Sequence, residues 1–110
     1  MPETTLTHDI ESLDVCSLPS VAYAARRELP RIGAVYFVMK GETVLYIGRT
    51  GDLKNRWASH QIKLYLVEVG PTAIAWLQIE SNERRPAIER FCIARFDPPF
   101  NLKKPHAKGN

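Results

Sequence analysis

Apolar positions along this chain switch between strand-like and helix-like spacing, and each switch marks an element. Residues 34–39, AVYFVM, form a continuous apolar run, Lys40-Gly41-Glu42 supplies a turn, and residues 43–47 make a second run, so the two read as a β-hairpin. Alternation sets Tyr36 and Val38 on one face of the first strand and Val35 and Phe37 on the other. Val44 and Tyr46 share a face of the second strand, and pairing brings Tyr36 and Tyr46 side by side. Gly48 breaks the run, and Thr50-Gly51-Asp52 opens a helix predicted over residues 52–66. After Gly70-Pro71, residues 73–79, AIAWLQI, read as a third strand, and Ser81 or Asn82 caps a second long helix. Pro86 is tolerated there because it lies near the helix start. Ile88, Phe91, Cys92 and Phe96 give that helix an apolar stripe, with Glu89 beside it and looking over the sheet edge, and Asp97-Pro98-Pro99 ends it.

Upstream, residues 18–29 read as a short helix with Ser20 as cap, alanines as helix formers and Pro30 as the stop, packing as a lid on the core. Residues 1–17 are polar and acidic without sustained periodicity, an arm or edge segment. The organisation expected is an N-terminal arm with a short helix (residues 1–30), a folded domain (31–104) and a basic tail (105–110).

Length and composition bound this picture. At 110 residues the chain is expected to be one domain with a modest core. No apolar run of about 18 residues and no charged-then-apolar leader is present, so the expectation is a soluble cytoplasmic protein. Cys16 and Cys92 are too far apart in sequence for a paired zinc motif and too few for a disulfide framework; Cys92 reads as core. Net charge is only +3, but it is unevenly placed: residues 1–30 hold two arginines against five acids, and residues 31–110 hold thirteen cations against seven acids. Basic charge therefore sits with the candidate chemistry and suits a polyanion such as nucleic acid, although such a surplus is also ordinary for a soluble domain.

That chemistry centres on residues 44–60, VLYIGRTGDLKNRWASH, where a strand, a turn and a helix follow one another. Arg56 and His60, four apart, share a helix face, and Tyr46 ends the strand that feeds it, so a phenol, a guanidinium and an imidazole can converge. Taken in order, Ala34-Val35-Tyr36, Tyr46-Ile47-Gly48, Arg56 with His60, Glu89 on a later helix and Pro98-Pro99-Phe100-Asn101 resemble the GIY-YIG nuclease family over residues 33–102. One departure is that Gly33 stands a place early and Ala34 fills the slot where the family has glycine.

The resemblance implies an α/β domain of the α+β type, a small three-stranded antiparallel sheet flanked by helices. It also implies a metal-dependent endonuclease that hydrolyses phosphodiester bonds in DNA. Glu89 is then the metal ligand, for one Mg²⁺ or Mn²⁺ whose other positions are filled by water and DNA oxygens. Arg56 grips the scissile phosphate, and His60 bonds a tyrosine or the attacking water. Tyr36 activates that water, Tyr46 orients the phosphate or water, and Asn101 fixes the site by hydrogen bonds. A phenol with a pKa near 10 is a poor base at neutral pH, so its neighbours must favour the phenolate or the proton must pass to His60. Arg49, Lys54, Lys63 and Arg85 are the expected nucleic-acid contacts, with Arg84, Arg90 and Arg95 as further candidates.

Each residue also has a plainer reading: strand packing for the tyrosines, a solvated helix face for Arg56, a cation near a helix end for His60, an Arg85 pair for Glu89, and a turn for Asn101. The alternative at the level of function is a catalytically inactive nucleic-acid-binding module on the same fold. One site cuts one strand, so a double-strand break calls for a homodimer or two visits.

Overall fold

The computed structural model describes residues 11–58 and 68–101. A 3₁₀ turn at Val15–Ser17 precedes strand β1 (Ser20–Ala22), and a 3₁₀ segment, Tyr23–Glu28, follows it. Then come β2 (Ala34–Lys40), β3 (Thr43–Thr50), helix α1 (Leu53–Ala58), β4 (Ala73–Gln78) and helix α2 (Arg84–Phe96). The strands form one antiparallel sheet in the order β1-β4-β2-β3, so the fold is α+β, as expected, with four strands rather than three.

The additional strand comes from the segment expected to be helical. Ser20, Val21 and Ala22 pair with Ala75, Ile74 and Ala73, and the Trp76 N–H donates to the Pro19 carbonyl at 3.1 Å. Alanine's helical advantage is only some tenths of a kcal/mol per residue. An uncovered β4 edge would instead leave backbone donors and acceptors without partners. The ladder wins, and Ala24 and Ala25 are left in an irregular 3₁₀ segment kinked at Ala25.

Both faces of the sheet are covered. On one, Val35, Phe37, Ile47 and Ala75 pack against Ile88 and Cys92 of α2, and the Phe37 and Phe96 rings meet edge-on at 6.0 Å. On the other, Tyr36, Val38, Tyr46 and Ile74 pack with Leu29 and with Leu53 and Trp57 of α1. Phe91, expected in the α2 stripe, is 39% exposed instead. Ser81 serves the α2 start as expected: its Oγ accepts from the Arg84 N–H and its carbonyl from the Arg85 N–H, both at 3.1 Å.

A β-bulge changes the expected face assignment on β3. Pairing moves from Val38 opposite Tyr46 to Met39 opposite Val44, which leaves Leu45 as the extra residue. Val44 therefore belongs to the α2 side and Tyr46 to the α1 side, so the two do not share a face. Tyr36 and Tyr46 do, as diagonal neighbours with ring centroids 6.3 Å apart.

Candidate active site

The site is built around Tyr36, in the middle of β2 and 0% exposed. Its register partner on β3 is Gly48, and a Cβ there would lie 2.5 Å from the Tyr36 hydroxyl and 2.6 Å from its Cζ. The residue that ends the YIG run must be glycine because the Tyr36 ring lies across its backbone. The hydroxyl then accepts a hydrogen bond from Nε–H of Arg56, on α1, at 3.1 Å. Trp57, the next residue, meets the Tyr36 ring edge-on at 5.5 Å and is only 2% exposed, so α1 is anchored one residue away from the cation it presents. Leu53 and Trp57, four apart, are the apolar pair that fixes this helix, a signal the sequence already carried.

Burial, first of all, pushes the Tyr36 phenol up to about 12. Its Arg56 hydrogen bond works against that shift, while the neighbouring Tyr46 and the Glu89 carboxylate add to it. Tyr36 is therefore a neutral phenol at neutral pH and a poor proton acceptor. What its hydroxyl does in this structure is hold Arg56, whose pKa rises chiefly through the same bond. With Nε committed, the two Nη groups of Arg56 form the outer fork, the geometry that matches two oxygens of a phosphate.

Glu89 lies on α2, on the other side of the sheet, yet its charge reaches Tyr36. Its Oε1 is 3.3 Å from Nε of Arg49, with side-chain exposures of 19% and 45%. Arg49, expected as a nucleic-acid contact, is thus paired with Glu89, because opposite Val35 on β3 it faces the α2 side. No group of three or more His, Cys, Asp or Glu side chains converges on a cation site among the described residues. A single half-buried carboxylate still fits Mg²⁺, which is commonly held by one or two carboxylates with water and phosphate oxygens completing its shell.

Asn101 is 6% exposed and stands in for a missing strand. β3 is at the sheet edge, and an antiparallel edge turns alternate N–H and C=O groups away from its partner. At Ile47 both are taken up by one side chain: the backbone N–H donates to Asn101 Oδ1 at 2.7 Å, and Nδ2–H donates to the Ile47 carbonyl at 2.8 Å. Asn101 thereby pins the segment between Tyr46 and Gly48. Asn101→Ala is expected to lower unfolding free energy by about 2–4 kcal/mol, since two buried backbone groups lose their partner. Urea denaturation measures it, and Asn101→Asp, which keeps the acceptor alone, should fall between the two.

Arg85 needs correction. Expected at the nucleic-acid surface, it is 8% exposed and spends all three guanidinium nitrogens internally. Nε donates to Ile79 O at 3.0 Å, Nη1 to Asn82 Oδ1 at 2.9 Å and Nη2 to Glu80 O at 3.0 Å. It is not the partner of Glu89 either. A Cβ on Gly33 would collide with its Nη2, which explains the glycine one place ahead of the family's slot. Lys54 donates from Nζ to the Arg27 carbonyl, tying α1 to the 3₁₀ segment. His60 and Lys63 lie outside the described residues, as does the remainder of the helix expected to residue 66.

This fold, a four-stranded antiparallel sheet flanked by helices, is that of the GIY-YIG nuclease domains. The solved GIY-YIG N-terminal endonuclease domain of UvrC from Thermotoga maritima, bound to magnesium as its catalytic divalent cation, superposes with a TM-score of 0.61 at 17% identity, covering 70% of this chain and 91% of that one. Tyrosine-to-phenylalanine and asparagine-to-alanine point mutants of that domain, each bound to the catalytic divalent cation, match with TM-scores of 0.59 at 16% identity, over 70% of this chain and 90% of theirs. No family profile and no curated protein sequence matches the chain. Among the described residues no helix is long and apolar enough to cross a membrane.

Proposed function

We propose that this chain is a DNA endonuclease that hydrolyses phosphodiester bonds with one divalent cation, Mg²⁺ or Mn²⁺, held by Glu89. The observation that carries the reading is the Arg56–Tyr36 hydrogen bond: a buried tyrosine, itself acted on by the Glu89 charge, holds an arginine by Nε and leaves its outer fork for a phosphate. The bound cation supplies charge for the phosphoryl oxygens and a site for water. Arg56 binds and neutralises the scissile phosphate, Tyr36 fixes the direction of that guanidinium, and Tyr46 orients the phosphate or the water. His60, four residues beyond Arg56, bonds a tyrosine or the attacking water and takes the proton that a phenol held at about 12 will not. Asn101 keeps Tyr46 in place through the Ile47 backbone.

The Arg49–Glu89 pair favours a second reading, a nucleic-acid-binding module without cleavage, because there the carboxylate serves as an ion-pair partner of Arg49. Supercoiled plasmid separates the two. With Mg²⁺ or Mn²⁺ the expected product is nicked circles, since one site cuts one strand and a linear product requires a homodimer or a second visit. Chelator should abolish nicking. Salt-sensitive binding with no nicking in either metal would replace the nuclease reading with the binding module.

A further inference from the structure

A second basic site adjoins the first. Between the Tyr23–Glu28 segment and α1 lies an open cavity of about 580 Å³, lined by Ala24, Arg26, Arg27, Lys54, Trp57 and Ala58. That volume is in the range of ligand pockets. Its described lining holds three cations and no carboxylate, an arrangement of like charges that an anion stabilises. Two of the three cations are held in place rather than loosely displayed. The Arg26 guanidinium sits 4.4 Å over the Tyr23 ring and donates from Nη1 to the Tyr23 carbonyl at 2.7 Å. Lys54 is fixed by its bond to the Arg27 carbonyl.

Trp57 forms the wall between this cavity and the Tyr36–Arg56 pair. Its indole meets Tyr36 at 5.5 Å on one side and Tyr23 at 5.9 Å on the other. Lys54 and Arg56, two residues apart on α1, point to different faces of that helix, the first at the cavity and the second at Tyr36.

We propose that this cavity is a phosphate-binding subsite for the nucleic-acid backbone flanking the scissile bond, with Arg26, Arg27 and Lys54 as its contacts. The proposal rests on the nuclease reading for its ligand. It also gives the N-terminal third of the chain, acidic in sum, a place in binding through two arginines. A free nucleotide offers the same phosphate chemistry; an open cavity separated from the Tyr36–Arg56 pair by one indole favours the polymer.

The test is anisotropy of a labelled DNA duplex with the full chain across a salt series, in chelator so that nothing is cut. Arg27 is the variant of choice because its carbonyl, not its guanidinium, ties α1. Arg27→Ala should reduce the slope of log K against log salt by about 0.9, the loss of one phosphate contact on duplex, with melting temperature retained. Lys40→Ala at the hairpin turn, an equal change in net charge, should leave the slope alone. An Arg27→Ala slope equal to wild type, or equal slope losses in both variants, would overturn the subsite. So would a nucleoside monophosphate that binds wild type as tightly as the duplex and loses affinity in Arg27→Ala while the duplex slope holds. If wild type nicks plasmid and the Arg27→Ala slope is unchanged, only the subsite falls; if wild type binds but never nicks, the nuclease reading falls and the slope still decides the subsite.

Discussion

Glu89→Gln is expected to lower the nicking rate in Mg²⁺ by about 10³-fold or more while leaving the fold intact. The substitution keeps size and shape and removes the one negative charge that acts on Tyr36 from α2. Loss of an electrostatic group aimed at transition-state charge typically costs 10²–10³-fold, about 3–4 kcal/mol, and on the proposed reading the cation would be lost with it. Stability should barely respond. The Arg49–Glu89 pair is part-exposed on the arginine side, and such pairs contribute about 0.2–1 kcal/mol. Nicking and urea denaturation on the same preparation check both halves. Equal nicking by wild type and Glu89→Gln would remove Glu89 from the metal role.

Tyr36→Phe should reduce cleavage by about 10²-fold, by releasing Arg56 from its orientation rather than by removing a base. The two roles differ in their pH profiles. A phenol held at about 12 by burial stays neutral across pH 6–9, so its loss lowers the rate without changing the profile's shape. Loss of a phenolate base would flatten the rise with pH. Stability offers a second signature. Because the folded value, about 12, lies above the ordinary 10.0, the neutral phenol is favoured in the folded state, and its contribution is full below pH 10. It is lost as pH rises toward about 12, since there the unfolded chain ionises and the folded one resists. Tyr36→Phe should lack that alkaline decline, measurable as unfolding free energy from pH 9 to 12. It should also lose about 1–3 kcal/mol at neutral pH, because the Arg56 Nε–H is left without its acceptor.

The parts legible in the chain were those with local causes. The β2–β3 hairpin follows from two apolar runs and a turn, α2 from its stripe and the Ser81 start, and the Tyr36–Tyr46 proximity from alternation. The bulge that sends Val44 to the opposite face has no local signature, because an extra residue in one strand is defined only by its partner. Strand β1 was hidden for the same reason: its three residues sit among helix-forming alanines, and only the bare edge of β4 selects the extended form.

Charged residues divide in a similar way. Arg56 rides the helix its local pattern marks and bonds the Tyr36 hydroxyl, whereas Arg85 and Arg49 look in sequence like any surface arginine. Their partners, the carbonyls of Ile79 and Glu80 and the carboxylate of Glu89, are set by tertiary packing. The sequence by itself determined which side chains are present and on which local element each rides, because side-chain period follows backbone conformation. Only the tertiary structure decided which charges remain outward, that Asn101 closes the β3 edge, and that Arg26 and Arg27 gather beside Lys54. Those outcomes depend on pairing of distant backbone groups and on burial, neither of which a linear pattern contains.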